Sequence, residues 1–372
     1  MHYIMIAYLK QNSNKTIILL FLLFCSFAVQ GQRDMYAKLQ ALSTKVGIPG
    51  MQVTFVDKGI TTHYALGVKR MGAHETISRQ TAFQAASLTK VVTAYVFLRL
   101  LDQGLISLDK PLWDYYPYDR LSQTPGKERI TARMVLTHRS GLHNWEGDVP
   151  SPAWRATPLT LLFTPGTQYA YSGEGFYFLQ ETMEHITKKS FQQLVEEEVL
   201  TPLAMTHSEI IWKDRLLQDA AFGHLTGQKT RSLGQYRKAN AAYTLYTTSE
   251  DYTKFVQRAL LGGEGLKKET HQLLLTKQGE AQVGNTQTTR DTYVPCALGL
   301  RLQLNEVGTA LWHTGSNPGF RCFFIAYPER KQSLAVFMNT EDGFQAMGDL
   351  LALFLNDEQT FWAYEWRQGE LD

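Results

Sequence analysis

Between Leu88 and Leu101 the chain offers almost no polar face, because Leu88, Val91, Val92, Ala94, Tyr95, Val96, Phe97, Leu98, Leu100 and Leu101 are all apolar. A helix that is apolar all round is a buried one, so the pattern predicts a buried helix from Ser87 to about Gln103. Its few polar residues fall mainly in the first turn, and Ser87 suits the N-cap position. Ser87 and Lys90 are three residues apart, which puts both side chains on one face of that turn.

The flanking chain supplies strands at both ends and helices between them. Arg33 to about Lys45 reads as a helix stopped near Gly47-Ile48-Pro49-Gly50. Met51–Val56 and Ile60–Leu66 flank Asp57-Lys58-Gly59, a hairpin signal. Ile130 to Leu142 is predicted helical until its glycine, with His138 capping carbonyls at the helix end rather than acting in catalysis. Phe163 to Gly175 is turn-rich and feeds a helix from Phe176 to about Thr187, followed by another from Phe191 toward Leu200. Residues 206–240 carry little pattern, Thr248-Ser249-Glu250-Asp251 opens a further helix, and residues 276–292 read as loop. Cys296–Leu304, Ala310–Thr314, Arg321–Tyr327 and Leu334–Asn339 are then strands of an antiparallel meander, closed by a helix from about Phe344 to Leu355. Early strands, a helical middle and late strands imply one sheet built from both chain ends, an α+β arrangement.

The N-terminus changes what this chain becomes after synthesis. Lys10 and Lys15 precede an apolar run from Ile17 to Val29, and Val29-Gln30-Gly31 offers a cleavage position, so residues 1–31 are expected to be a secretory signal peptide. The run is short for a membrane span, and no stable span is expected once it is cleaved; a retained N-terminal anchor is the alternative. Cleavage removes two of the 37 basic residues and none of the 35 acidic ones, leaving a neutral chain with no nucleic-acid footprint. Cys296 and Cys322 then remain. Two cysteines make no disulfide framework, there is no metal-ligand spacing, and both thiols are expected free and mostly buried. No cofactor or metal is expected.

A serine hydroxyl becomes a nucleophile when a neighbour takes its proton. Lysine does so only when neutral, and desolvation together with a helix N-terminus lowers its pKa. The spacing alone is unspecific: Ser107-Leu108-Asp109-Lys110 repeats it, but after Gly104 and before Pro111, where it reads as a loop with a solvated lysine. The buried helix separates the two copies.

Three separated motifs now line up. Ser87-Leu88-Thr89-Lys90, Tyr171-Ser172-Gly173 and His313-Thr314-Gly315 stand in the order of Ser-x-x-Lys, Tyr-x-Asn and Lys-Thr-Gly or His-x-Gly. The chain resembles the serine β-lactamase and penicillin-binding-protein family, nearest its class C and esterase branch. Leu136–Leu142, Phe163–Gly166 and Gly315–Phe320 also look alike. The resemblance covers nearly all of the chain from Pro49-Gly50 to the last helix. It implies a β-lactamase/transpeptidase-like fold, with an α/β lobe at about residues 32–104 and 276–372 and a helical lobe at about 105–275, within a catalytic domain at 32–372. It also implies roles. Ser87 would be the acylated nucleophile, Lys90 its proton acceptor or relay, and Tyr171 a general acid/base. His313, Thr314 and Gly315 would line an edge strand, Thr314 would bind a substrate carboxylate, and the N–H groups of Ser87 and Ser316 would form an oxyanion hole.

The implied activity is acyl transfer to water through an acyl-serine, on a β-lactam, a D-amino-acid peptide of cell-wall type or a small ester, in the bacterial periplasm. The alternative is a catalytically silent receptor for cell-wall peptides. Two departures bear on substrate. Gly173 withdraws a side-chain amide, and His313 replaces a fixed positive charge with a group of reference pKa about 6.5. Both predict weak recognition of anionic substrates and measurable esterase activity. The Asn-Ala-Ala-Tyr-Thr-Leu stretch at 240–245 also departs from the glycine-rich family pattern. Glu174 reads as a helix-start carboxylate rather than a base.

Overall fold

The computed structural model describes residues 30–281, 288–355 and 358–369. The expected signal peptide lies outside them apart from its last two positions. The chain falls into two compact units, Met1–Val46 and Gly47–Asp372. In the first, residues 30–46 form helix α1, beginning three residues before the expected Arg33. Among the described residues no helix is long and apolar enough to cross a membrane.

The second unit is organised on an antiparallel sheet of six strands: β1 (Gly50–Asp57), β2 (Ile60–Gly67), β3 (Arg301–Asn305), β4 (Gly308–Asn317), β5 (Phe320–Tyr327) and β6 (Gln332–Met338). Their order is β2-β1-β6-β5-β4-β3, so strands from both chain ends meet where β1 pairs with β6, Met51 opposite Met338. The β1–β2 hairpin closes with Asp57 opposite Ile60. Lys58 and Gly59 between them have φ of 48° and 84°, as a two-residue type I′ turn requires.

Helix α2 (Leu88–Asp102) matches its expected span and is buried from Leu88 through Leu98, with Ser87 as its N-cap. Helix α3 is shorter than expected, covering only Ala132–Leu136. His138 has φ 56°; its N–H donates to Val135 O at 3.0 Å while Arg139 N–H reaches back to Met134 O at 2.6 Å. That pair of bonds around a left-handed residue is a Schellman stop, and it ends the helix before Gly141. Helix α4 (Gly173–Thr187) starts three residues earlier than predicted, because Ser172 Oγ caps it by accepting from Gly175 N–H at 2.9 Å.

Helix α5 (Ser249–Lys254) continues through a π-helical turn at Phe255–Leu261. It lies on the sheet although its sequence position falls inside the expected helical lobe. Ser249 N–H donates to Gln52 Oε1 at 2.9 Å, and Tyr252 packs against Phe324 and Phe337 with ring centroids 5.6 and 5.8 Å apart. Cys296 does not begin β3: it makes isolated bridges to Gly279 and Arg301, and the strand starts at Arg301. The 276–292 stretch, expected as loop, ends in a short helix at Thr289–Tyr293. The expected closing helix becomes a 3₁₀ segment, Glu341–Ala346, leading into α6 (Met347–Leu355). A further helix, α7 (Trp362–Gly369), follows that the pattern did not predict.

Candidate active site

A sharp turn delivers Ser87. Phe83 and Gln84 pair with Thr247 and Tyr246, and the chain then bends through Ala86, whose φ is 48°. A left-handed alanine costs roughly 1–2 kcal/mol, a strain of the kind that collects at functional sites. Thr89 holds the bend by donating its hydroxyl to Ala86 O at 2.6 Å and accepting Leu245 N–H at 3.1 Å. A serine at an N-cap normally spends its oxygen on a helix N–H. Ser87 makes no such bond; its Oγ instead accepts from Lys90 Nζ at 3.3 Å.

Lys90 is 2% exposed. Its Nζ also donates to Ala242 O at 3.1 Å, and it lies over the rings of Tyr171 (4.7 Å to the centroid) and Phe176 (5.6 Å). A backbone carbonyl and aromatic faces hold it where a carboxylate would have fixed its charge, and desolvation lowers its pKa to about 7. The Ser107 copy is different in kind. Ser107 Oγ accepts Asp109 N–H at 3.3 Å, while Lys110 is exposed with its ammonium 4.3 Å from the Tyr115 ring centroid.

Tyr171 sits beside this pair, half-buried, immediately before the Ser172 cap of α4. His138 packs on it with ring centroids 4.2 Å apart. His138 does not cap helix carbonyls as expected. Its Nδ1 accepts Ser172 N–H at 3.1 Å, which fixes the backbone next to Tyr171. Since an amide can only donate, Nδ1 carries the lone pair and the ring proton is on Nε2. Burial holds this imidazole well below its usual pKa, helped by the charges of Arg301 and Lys90.

Strand β4 brings His313 and Thr314 to the cavity at Ser87 and Gly315 against the turn before it, while Ser316 follows on the strand as an exposed residue. A Cβ on Gly315 would lie 2.4 Å from both Ala85 O and Cys322 Sγ, so only glycine lets β4 come this close to the turn before Ser87. The Cys322 thiol donates to Ala85 O at 3.0 Å from beneath. His313 is buried; its Nδ1 donates to Thr314 O at 2.6 Å, leaving Nε2 as the acceptor. Burial, with the Lys90 charge second, lowers its pKa to about 3. Ser87, Tyr171, His313 and Thr314 line one cavity of about 160 Å³.

Several residues at the site carried no recognisable sequence signal. Ala242 contributes only its carbonyl, and the 240–245 stretch earns its place through backbone atoms: Gln180 of α4 accepts Ala241 N–H at 2.8 Å and Thr93 of α2 donates to Ala241 O at 2.7 Å. Arg301, Trp312, Trp366 and Arg367 complete the cavity wall. Trp145 occupies the region in front of Gly173. Glu174 begins α4 as expected, but it is fully buried and serves structure. It accepts from Arg120 at 2.8 and 3.2 Å, from Trp154 Nε1 at 2.6 Å and from Glu146 N–H at 3.0 Å.

Comparison with known proteins bears on the family and the fold. A family model described as Beta-lactamase matches residues 35–356. The D-alanyl-D-alanine-carboxypeptidase/endopeptidase AmpH of Escherichia coli (strain K12) is 29% identical over 171 residues, which is 43% of this chain and 44% of that protein. Penicillin-binding protein 4 of Amycolatopsis lactamdurans is 25% identical over 199 residues, 50% of this chain and 51% of that protein. The matches thus span about half the length of these relatives. Among solved structures, a class C beta-lactamase superposes with a TM-score of 0.76 at 20% identity, covering 88% of this chain and 96% of that one, a likeness of fold.

Proposed function

The chain belongs to the beta-lactamase family, and on that premise we propose that it is a secreted serine hydrolase working through an acyl-serine on Ser87. The observation that carries this reading is the Lys90 ammonium, buried, 3.3 Å from Ser87 Oγ and brought to a pKa of about 7. In the neutral form Lys90 takes the hydroxyl proton as Oγ bonds to the substrate carbonyl carbon. The N–H groups of Ser87 and Ser316 receive the oxyanion. Tyr171 passes a proton to the leaving nitrogen or oxygen as its bond to that carbon breaks. Water then attacks the acyl-serine with the same groups acting in reverse, and the acid and free serine are released.

The substrate is a β-lactam, a D-amino-acid peptide or a small ester, and the name of the Escherichia coli relative supports the peptide. A neutral activated ester requires only the serine, its base and the oxyanion donors, so measurable esterase activity is expected. The proposed setting is the periplasm, with residues 1–31 a cleaved signal ahead of a catalytic domain at 32–372. The test is incubation with a fluorophosphonate and with a fluorescent penicillin, followed by peptide mapping. Covalent label on Ser87 from either reagent is the expected result; label elsewhere, or none, overturns the mechanism.

A further inference from the structure

The cavity at Ser87 has a wall that comes from outside the stretch shared with the family. The family match ends at residue 356, whereas Trp366 and Arg367 belong to α7 (Trp362–Gly369) and line the cavity together with Arg301 of β3. The helix is anchored there. Trp366 is 2% exposed, donates its Nε1–H to Asp291 Oδ1 at 3.0 Å, and meets Trp312 edge-on with ring centroids 6.0 Å apart. Its indole face lies 3.7 Å from the Arg301 guanidinium carbon.

Arg301 is 5% exposed and held from several sides. It donates to the Tyr169 hydroxyl, reaches Cys296 Sγ at 3.7 Å, and stacks over Tyr169 at 5.0 Å as well as over Trp366. A guanidinium held by stacking on two rings keeps its plane fixed, the condition for geometrically selective carboxylate recognition. Its charge reaches the site, since it contributes to holding both His313 and His138 neutral. Arg367 adds a second guanidinium to the same wall, 4.8 Å over the Phe344 ring.

We propose that α7 and β3 together form a carboxylate subsite, in which Arg367 and Arg301 bind an anionic group of the acyl substrate while its carbonyl faces Ser87. A lysine at position 313 would have supplied positive charge from β4; here His313 is neutral and the charge enters from β3, the strand paired with β4, and from α7. Substrates bearing a carboxylate are therefore favoured over neutral esters, which revises the preference expected from position 313 alone. This inference rests on Ser87 being the reactive nucleophile.

A matched pair of reversible serine ligands separates the two ideas. Phenylboronic acid and meta-carboxyphenylboronic acid both accept Ser87 Oγ at boron, and they differ by one carboxylate. Calorimetric titration of the wild-type protein should show the carboxylated compound binding about tenfold tighter, the size of one charge-assisted contact. Arg367→Gln should abolish that advantage, read as the ratio of the two Kd values on the same variant, with circular dichroism and thermal unfolding certifying that the variant is folded. Arg367→Lys should restore part of the advantage. Equal binding of both compounds to the wild type, or an advantage that survives Arg367→Gln, overturns the Arg367 subsite and leaves the serine mechanism standing. Binding of neither compound overturns both.

Discussion

The indole of Trp145 stands where any side chain at Gly173 would project: a Cβ on Gly173 would lie 2.3 Å from Trp145 Cζ2. Trp145 is braced edge-on by Tyr243 and Trp154, with ring centroids 5.6 and 6.0 Å away. The space that a side chain at position 173 would need is thus the space that Trp145 fills. Gly173→Asn alone should cost about 1–3 kcal/mol through overpacking and reduce esterase turnover. Combining it with Trp145→Gly should recover much of the loss. Urea denaturation of the two single variants and the double variant measures the coupling; simple additivity would show that the two positions do not share this space.

Ser87 and Ser107 carry the same local motif in different surroundings. Ser87→Ala should abolish labelling by a fluorophosphonate, and Ser107→Ala should leave it at the wild-type level. Peptide mapping after proteolysis reads the result directly, and persistent label on Ser87→Ala protein would refute the assignment.

The pKa of Lys90, lowered to about 7, sets the expected pH profile. Ester kcat/KM should rise with pH through about 7 as the ammonium loses its proton. His138 and His313 are held neutral by burial and add no second limb in that range. Stability follows the same group. Its folded pKa lies below the ordinary 10.5, so between about 7 and 10.5 the unfolded chain binds more protons and stability rises with pH. Below about 7 the whole penalty of charging Lys90 is present. Denaturation curves of wild type and Lys90→Met across this window isolate the effect, because the variant should lack that share of the slope.

Arg120 and Glu174 form a buried ion pair with side-chain exposures of 5% and 0%. Removing one partner leaves an uncompensated charge, which typically costs about 3–5 kcal/mol. Arg120→Met should therefore destabilise strongly and loosen the start of α4, where Tyr171 is presented. Thermal and urea unfolding check the first point. A change below 1 kcal/mol, on the order of an exposed pair, would place the pair in solvent.

Cys296 and Cys322 are free and buried, and burial raises both thiol pKa values. Neither should react with an alkylating reagent in the native protein, and both should react in denaturant. Peptide mass mapping of the alkylated protein distinguishes this from a disulfide.

Elements whose signal is local were readable before any coordinates. The helix after Ser87 is apolar on every side, the Asp57-Lys58-Gly59 turn closes its hairpin, and the late strands carry their own turns, so pattern alone placed the sheet between both chain ends. Of the residues that the three motifs named, Ser87, Tyr171, His313 and Thr314 line one cavity. Helix ends were less secure: His138 adopts a left-handed conformation that no local pattern announces, and it stops α3 six residues before Leu142, where the helix had been expected to run. What tertiary structure decided is contact between segments far apart in sequence. Ala242 serves Lys90 through a carbonyl that every residue possesses, Trp145 explains Gly173 across 28 positions, and Arg301 and Arg367 converge only because α7 returns to the sheet. A backbone atom carries no side-chain identity, and a space filled from elsewhere leaves no local trace. Ser87 and Lys90, the proposed nucleophile and base, are one helical turn apart and so could be read from the chain, while the walls proposed to select the substrate exist only once the chain has folded.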